Sequence, residues 1–370
     1  MNSTERLLAC LAGQIPDRVP ISTYELVGWN DRAWENREPS YARLMEFIRE
    51  HTDCMYMCGV GVPNARGGEI RTTAERWDEG DQHVTRTVTH AAGRELVSVR
   101  SHSDAVKTTW CREHPVKDLA DLKAYLDLPW APGEADFTGL EKAWGDLGQA
   151  RGLPLVSIGD PLCELAEAFE FGNFTVHAIT ETAAITAALD RLHERYVERL
   201  RRILAGPVRN VIFRICGPEY ATPPYLPPEL FARFVVPYDG VYVRMIRQAG
   251  AFARIHCHGK VARVLGMIAE MGADSLDPLE PPPDGDIDLA GLKRAVGDRL
   301  CLMGGIELKH LEARDGPFVE DLVRGLIADG KPGGRYVIMP TAAPINLPLS
   351  PRAEANYIRF IETALEAGRY

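Results

Sequence analysis

From Leu153 onward, short apolar runs alternate with amphipathic helical stretches, and this alternation constrains the fold more than any other feature of the chain. The runs are Leu153–Gly159, Asn210–Cys216, Ala251–His256, Ser275–Leu279, Leu300–Ile306 and Tyr336–Pro340. Helical spacing fills the intervals at 161–168, 174–205, 228–249, 261–271, 288–297, 316–329 and 351–367. A strand buried on both faces reads as a continuous apolar run, and a strand–helix repeat returns each strand parallel to the last. Two earlier runs, 18–24 and 54–60, bring the strands to eight. The pattern predicts an α/β fold, a (β/α)8 TIM barrel formed by residues 1–370 as one domain. The rival is an open doubly wound sheet, but no G-x-G-x-x-G supports it: Gly59-Val60-Gly61 has Asn64 where the third glycine belongs.

Ahead of the barrel, Asn2 followed by Glu5 spells a capping box and predicts an N-terminal helical extension. Further helices are expected at 41–51, 117–126 and 136–150. Residues 69–102 differ: β-rich runs alternate with turn residues, which predicts a β-meander inserted into the barrel over 66–105.

Composition bounds the partners. Asp plus Glu is 52 against 42 Lys plus Arg, a net charge of −10, which argues against nucleic acid. No apolar run approaches the ~20 residues of a membrane span, and the first residues carry early charges without a signal-peptide core. The 8 cysteines follow no framework spacing and read as reduced thiols. A cytoplasmic protein acting on a small molecule is expected, and a homodimer is compatible with the sequence.

A barrel places its chemistry at the C-terminal ends of its strands. Tyr24 and Glu25 end the first run, and Asp160 follows the third. Glu219, Tyr220 and Tyr225 lie in a Pro-rich loop after Cys216, and Glu280 and Glu307 end two more runs. Thr341 begins a stretch of small residues after the last. A helix-capping role accounts for any one of these acids, whereas their gathering on one rim points to a site. His256-Cys257-His258 is the sharpest local feature. Residues i and i+2 of a strand share a face, so both imidazoles point into the mouth. They read either as a hydrogen-bonded pair or as two metal ligands, with Glu280 as a third ligand, an acid/base group or the end of a turn. Two His and a carboxylate suit zinc, with non-haem iron as the alternative.

At these residues the chain resembles the uroporphyrinogen decarboxylase-like superfamily, which includes uroporphyrinogen decarboxylases and the zinc methyltransferases acting on corrinoids and coenzyme M. Cobalamin-independent methionine synthase has a related barrel. The resemblance runs from Arg6-Leu7-Leu8 and Pro16–Pro20 through Gly217–Tyr225, His256–Gly259, Pro278–Asp286 and Gly304–Glu307 to Pro340–Ile345. It implies a (β/α)8 barrel and an enzyme, with a corrinoid or a corrinoid protein as a partner. The methyltransferases carry His-x-Cys and a later Cys. Here His256 matches, His258 replaces the cysteine, and Thr341 or Ala342 stands at the later position. Such a site is harder and favours oxygen ligands over thiols. The Arg-rich motif of true uroporphyrinogen decarboxylases is absent around Tyr24–Glu38. The expected function is metal-dependent methyl transfer or demethylation. His256, His258 and Glu280 hold the metal, Glu219, Tyr220 and Asp160 are catalytic, and Tyr24, Glu25, Tyr225, Glu307 and Thr341 contact substrate. The alternatives are a decarboxylase or other lyase using acid/base residues, an iron-dependent oxidative enzyme, and a non-catalytic binding subunit.

Overall fold

Apolar on both faces, the runs can satisfy their backbone groups only through one another, and they form a sheet. The computed structural model describes residues 1–370. Its strands are β1 (Cys54–Cys58), β2 (Thr72–Glu79), β3 (Gln82–Ala91), β4 (Arg94–Ser103), β5 (Thr108–Glu113), β6 (Gly152–Gly159), β7 (Ile212–Cys216), β8 (Phe252–His256), β9 (Ser275–Asp277), β10 (Cys301–Ile306) and β11 (Tyr336–Pro340). The order β1-β6-β7-β8-β9-β10-β11 makes one curled, wholly parallel sheet of seven strands. The fold is therefore α/β, as the alternation predicts.

The expected eighth strand, 18–24, is not a strand. It contributes one parallel bridge, Ile21 to Ile338. Ile338 N donates to Pro20 O and Ser22 N to Ile338 O, both at 3.0 Å, while on the opposite side Asp53 N donates to Ile21 O at 2.7 Å. The segment thus touches both edges of the sheet, beside β11 and just ahead of β1. Its ladder is short for a chemical reason. Pro20 has no N–H to give, and the N–H of Ile21 goes to the Asp53 carboxylate at 2.9 Å. That fully buried carboxylate also receives Arg6 at 2.6 Å and Arg18 at 2.8 Å. Nearby, Val19 N donates to Gly368 O, so residues from the two ends of the sequence lie side by side.

Alternation along the strands separates two apolar layers. Met55, Leu153, Leu155, Ile212, Met303 and Met339 fill the concave side together with Leu7, Cys10 and Leu11 of the helix Ser3–Leu11. That helix opens with the expected Asn2–Glu5 capping box. The intervening residues, among them Val156, Phe213, Ile255 and Leu302, face the surrounding helices.

Elsewhere the structure adjusts the expected boundaries. The β-rich region forms its own antiparallel sheet, β2-β3-β4-β5, and its last strand reaches Glu113, beyond the expected 66–105. The helix expected over 174–205 divides into Phe171–Thr180 and Thr182–Leu204. At the break the Thr182 hydroxyl donates to the Ala178 carbonyl at 2.8 Å, a local bond that competes with the helical ladder. The helix expected over 228–249 divides at Val235, next to Pro237, whose missing N–H interrupts the ladder. No helix is long and apolar enough to cross a membrane.

Candidate active site

The strand register builds the site in two rows on the concave side. Ser157, Arg214, Arg254 and Ser275 align across β6 to β9, and one step further Gly159, Cys216, His256 and Asp277 align. Charged side chains therefore sit directly above the apolar layer. Asp277, fully buried, has two partners: Arg254 grips both of its oxygens, and His256 Nδ1 lies 2.8 Å from Oδ2. Burial alone would favour the protonated acid, but the Arg254 and His256 charges outweigh it and hold this carboxyl far below its usual range.

His258 lies just beyond the strand. Its ring is 4.7 Å from that of His256 and nearly perpendicular to it. Nδ1 is 2.7 Å from Glu280 Oε1, and the other Glu280 oxygen accepts the Gly259 N–H at 2.7 Å. Each imidazole is thus held at Nδ1 by its own carboxylate, which leaves Nε2 as the working edge. The His258 side chain is 38% exposed, against 8% for His256, so His258 is the more accessible of the two. Burial opposes its protonation, yet the Glu280 hydrogen bond and charge prevail and its pKa is raised. Glu307 completes this part of the rim. Burial, then the charge of Glu280, pushes its pKa up to about 7, and its Oε1 has no hydrogen-bond partner.

The expected metal trio is drawn into hydrogen-bonded pairs. Glu280 meets His258 as its hydrogen-bond partner, with both oxygens already engaged. No group of three His, Cys, Asp or Glu side chains is spaced to hold an ion. As placed, these side chains do not present three ligands to one zinc or iron ion.

Other expected residues scatter. Asp160 is 1% exposed and caps the helix Pro161–Ala168, accepting the Cys163 N–H at 2.6 Å. The capping bond gives Asp160 a structural role at the start of that helix. Glu219 accepts the N–H of Gly217 at 3.0 Å. Tyr220 turns toward Glu167 and Phe171, and Tyr225 packs edge-on against the same Phe171. Thr341, 4% exposed, ties the ends of β10 and β11 together through its N–H to Ile306 O at 2.8 Å. Tyr24 does reach the rim, stacking on His256, and Glu25 stands beside Arg214. Sequence reasoning missed Arg214, Arg254 and Asp277. The available signal was a charged residue inside an otherwise apolar strand, which is rare without a partner or a task.

A groove of about 650 Å³ between Arg314, Arg352 and Arg359 shares no residue with this rim. It is open surface between helices and brings no acid/base pair together.

Residues 163–350, just over half of the chain, match the model of the family described as Uroporphyrinogen decarboxylase (URO-D). The chain belongs to that family. The matched span holds His256, His258, Glu280 and Glu307 and excludes Tyr24 and Asp160. Among solved structures, this URO-D family member is similar to a methyltransferase from Methanosarcina mazei, with 15% identity, 99% of each chain covered and a TM-score of 0.60. That likeness is one of fold. A probable ornithine cyclodeaminase from Bordetella pertussis Tohama I is 11% identical over 81% of this chain and 88% of its own, with a TM-score of 0.12, and carries no argument. No curated protein matches the chain.

Asp160 has a consequence for stability. Burial, reinforced by the charge of Glu219, raises its pKa from 3.8 to about 8 against the pull of the Cys163 N–H. Asp239, equally buried, faces Asp160, and burial followed by the charge of Asp160 raises its pKa as well. A carboxyl that keeps its proton in the folded state while the unfolded chain releases it stabilises fully below the unfolded value and loses that contribution as pH rises through the folded one. Urea melts should show stability falling between about pH 4 and about pH 8. Asp160→Asn keeps the cap acceptor and should flatten that fall; an unchanged slope would show that Asp160 does not carry it.

Proposed function

We propose that this chain is an enzyme transferring or removing a methyl group at the His258 rim, with the Pro20–Ser22 segment acting as the eighth stave of a (β/α)8 barrel. The observation that carries the reading is the pair of carboxylate-held imidazoles at the end of β8, with the His258 side chain partly exposed and its charge acting on Glu307. A base and an acid whose environments push their titrations in useful directions are what acid–base catalysis needs.

The step balances without a further reagent. An acceptor Y–H loses its proton to His258 Nε2, and the freed lone pair attacks the methyl carbon of a donor X–CH3. The Y–C bond forms as the C–X bond breaks. The pair left on X takes a proton from Glu307, so X leaves as XH. Glu280 stabilises the imidazolium through Nδ1–H and fixes the ring's tautomer, the role a carboxylate plays in any His–carboxylate dyad. Protonating X suits an oxygen leaving group, whose anion is poorly stabilised beside so many acids. The similarity of the whole fold to a methyltransferase supports the same reading.

The test is a turnover assay with aryl and alkyl methyl ethers and a methylated corrinoid as donors and water, thiols and free corrinoid as acceptors, read by mass spectrometry using CD3-labelled donors. Label should move in the wild type and not in His258→Ala. Carbon dioxide release from carboxylic acids with no movement of label would replace this reading with a lyase.

A further inference from the structure

Two arginines occupy the same row of the concave face, and only one has its charge closely answered. Arg254 is locked to Asp277. Arg214, 9% exposed, donates from Nε to Ser157 Oγ at 3.0 Å and from Nη1 to the Tyr24 hydroxyl at 2.8 Å. Its nearest carboxylate is Glu25, 3.9 Å away with a side chain 44% exposed. Nη2 donates to no protein group. A guanidinium so buried and so loosely countered is costly to keep, and its planar fork matches a carboxylate.

Tyr24 connects this cation to the reacting rim. Its backbone has φ +57°, a conformation a bulky residue adopts only when its surroundings impose it. The phenol ring stacks on His256 with centroids 6.4 Å apart, and the Arg214 guanidinium carbon lies 5.6 Å from the same ring. Guanidinium, phenol and imidazole therefore follow one another along the concave face, and His258 comes next.

We propose that Arg214 binds a carboxylate carried by the substrate, with Tyr24 setting the distance between that carboxylate and the reacting methyl group. The assignment rests on the rim being where the reaction occurs. A singly charged, planar anion is favoured over a phosphate dianion because one guanidinium must offset the surrounding negative charge of Glu25 and Asp277.

Ligand-detected NMR on the full chain, with matched small carboxylates and their carboxamides, methoxybenzoates and methoxybenzamides among them, tests this without turnover. Carboxylates should bind in preference to amides, and Arg214→Gln should weaken them by about tenfold or more. Arg214→Lys should restore part of the loss by keeping charge without the fork. Should Arg214→Gln fail to fold, Tyr24→Phe carries the test, since it removes one oxygen and should weaken the same ligands. Equal binding of acids and amides, no carboxylate binding, tighter binding of the matching phosphonates, or affinity unmoved by these variants would overturn the assignment. Carboxylate binding that persists while no methyl group moves would instead sink the reaction proposed above and leave this site standing.

Discussion

Asp277→Ala should destabilise the protein by about 3–5 kcal/mol, because it strands Arg254 as an unpaired charge in the interior. Arg254 is 1% exposed and its partner fully buried, so water cannot replace the lost carboxylate. The neighbouring contacts of the guanidinium are the sulfurs of Met55 and Met339, which are poor acceptors. Urea unfolding checks the figure. The double variant Arg254→Met with Asp277→Leu removes both charges and should recover most of the loss, since buried ion pairs are often replaceable by apolar ones at little cost. It should not recover activity, because His256 loses the oxygen that orients it. Asp277 has a depressed pKa, so its contribution is present above the unfolded value and disappears as pH falls through the folded one. The stability gap between wild type and Asp277→Ala should narrow in strong acid. A single variant as stable as wild type at neutral pH would mean that Arg254 finds another partner.

His258→Ala should lower kcat/KM by about 10²–10⁴, the usual value of a positioned acid/base group. The pH profile distinguishes this role from a packing effect. His258 must be neutral to accept a proton, so the rate rises as pH climbs past its raised pKa. Glu307 must be protonated to donate one, so the rate falls above about 7. Glu280→Gln removes the charge that raises the His258 pKa and should move the acid limb to lower pH. Glu307→Gln should abolish the alkaline limb. An acid limb that stays in place in Glu280→Gln would show that another group titrates there.

The parts of this architecture that follow a period are legible in the sequence. Val156, Phe213, Ile255 and Leu302 announce buried strands because both faces of a parallel sheet are covered, and the C-terminal helix Pro351–Ala367 occupies the span its spacing predicts. His256 and His258 were legible as a pair for the same reason. Glu280 was legible beside them, but its role was not. Glu280 reaches His258 from 22 positions away, after a strand and a turn, and nothing local distinguishes a ligand from a ligand's holder. Asp277 sits in Ser-Leu-Asp-Pro-Leu, where it reads as an ordinary strand terminus until Arg254 is seen across the register. Asp160 shows the converse error. An acid after a strand belongs equally to a rim and to a helix cap, and only burial decides between them. The strand expected at 18–24 failed because the pattern counts apolar residues and does not count which N–H groups are already spoken for.

The bridge between Ile21 and Ile338 also bears on how the chain can fold. Its two sides are more than 300 residues apart in sequence, so it belongs to the slowest class of contact, whose loop entropy must be met before the contact rewards it. During synthesis the segment around Ile21 precedes β11 and until then has only Asp53 and the start of β1 to hold it. Its other neighbour arrives only with β11. Until then that side of the segment is uncovered, and unpaired strand edges are prone to aggregate. The Arg6–Asp53–Arg18 cluster ties the early segment down with contacts available from the first 53 residues alone, and so acts as a placeholder until the sheet is complete.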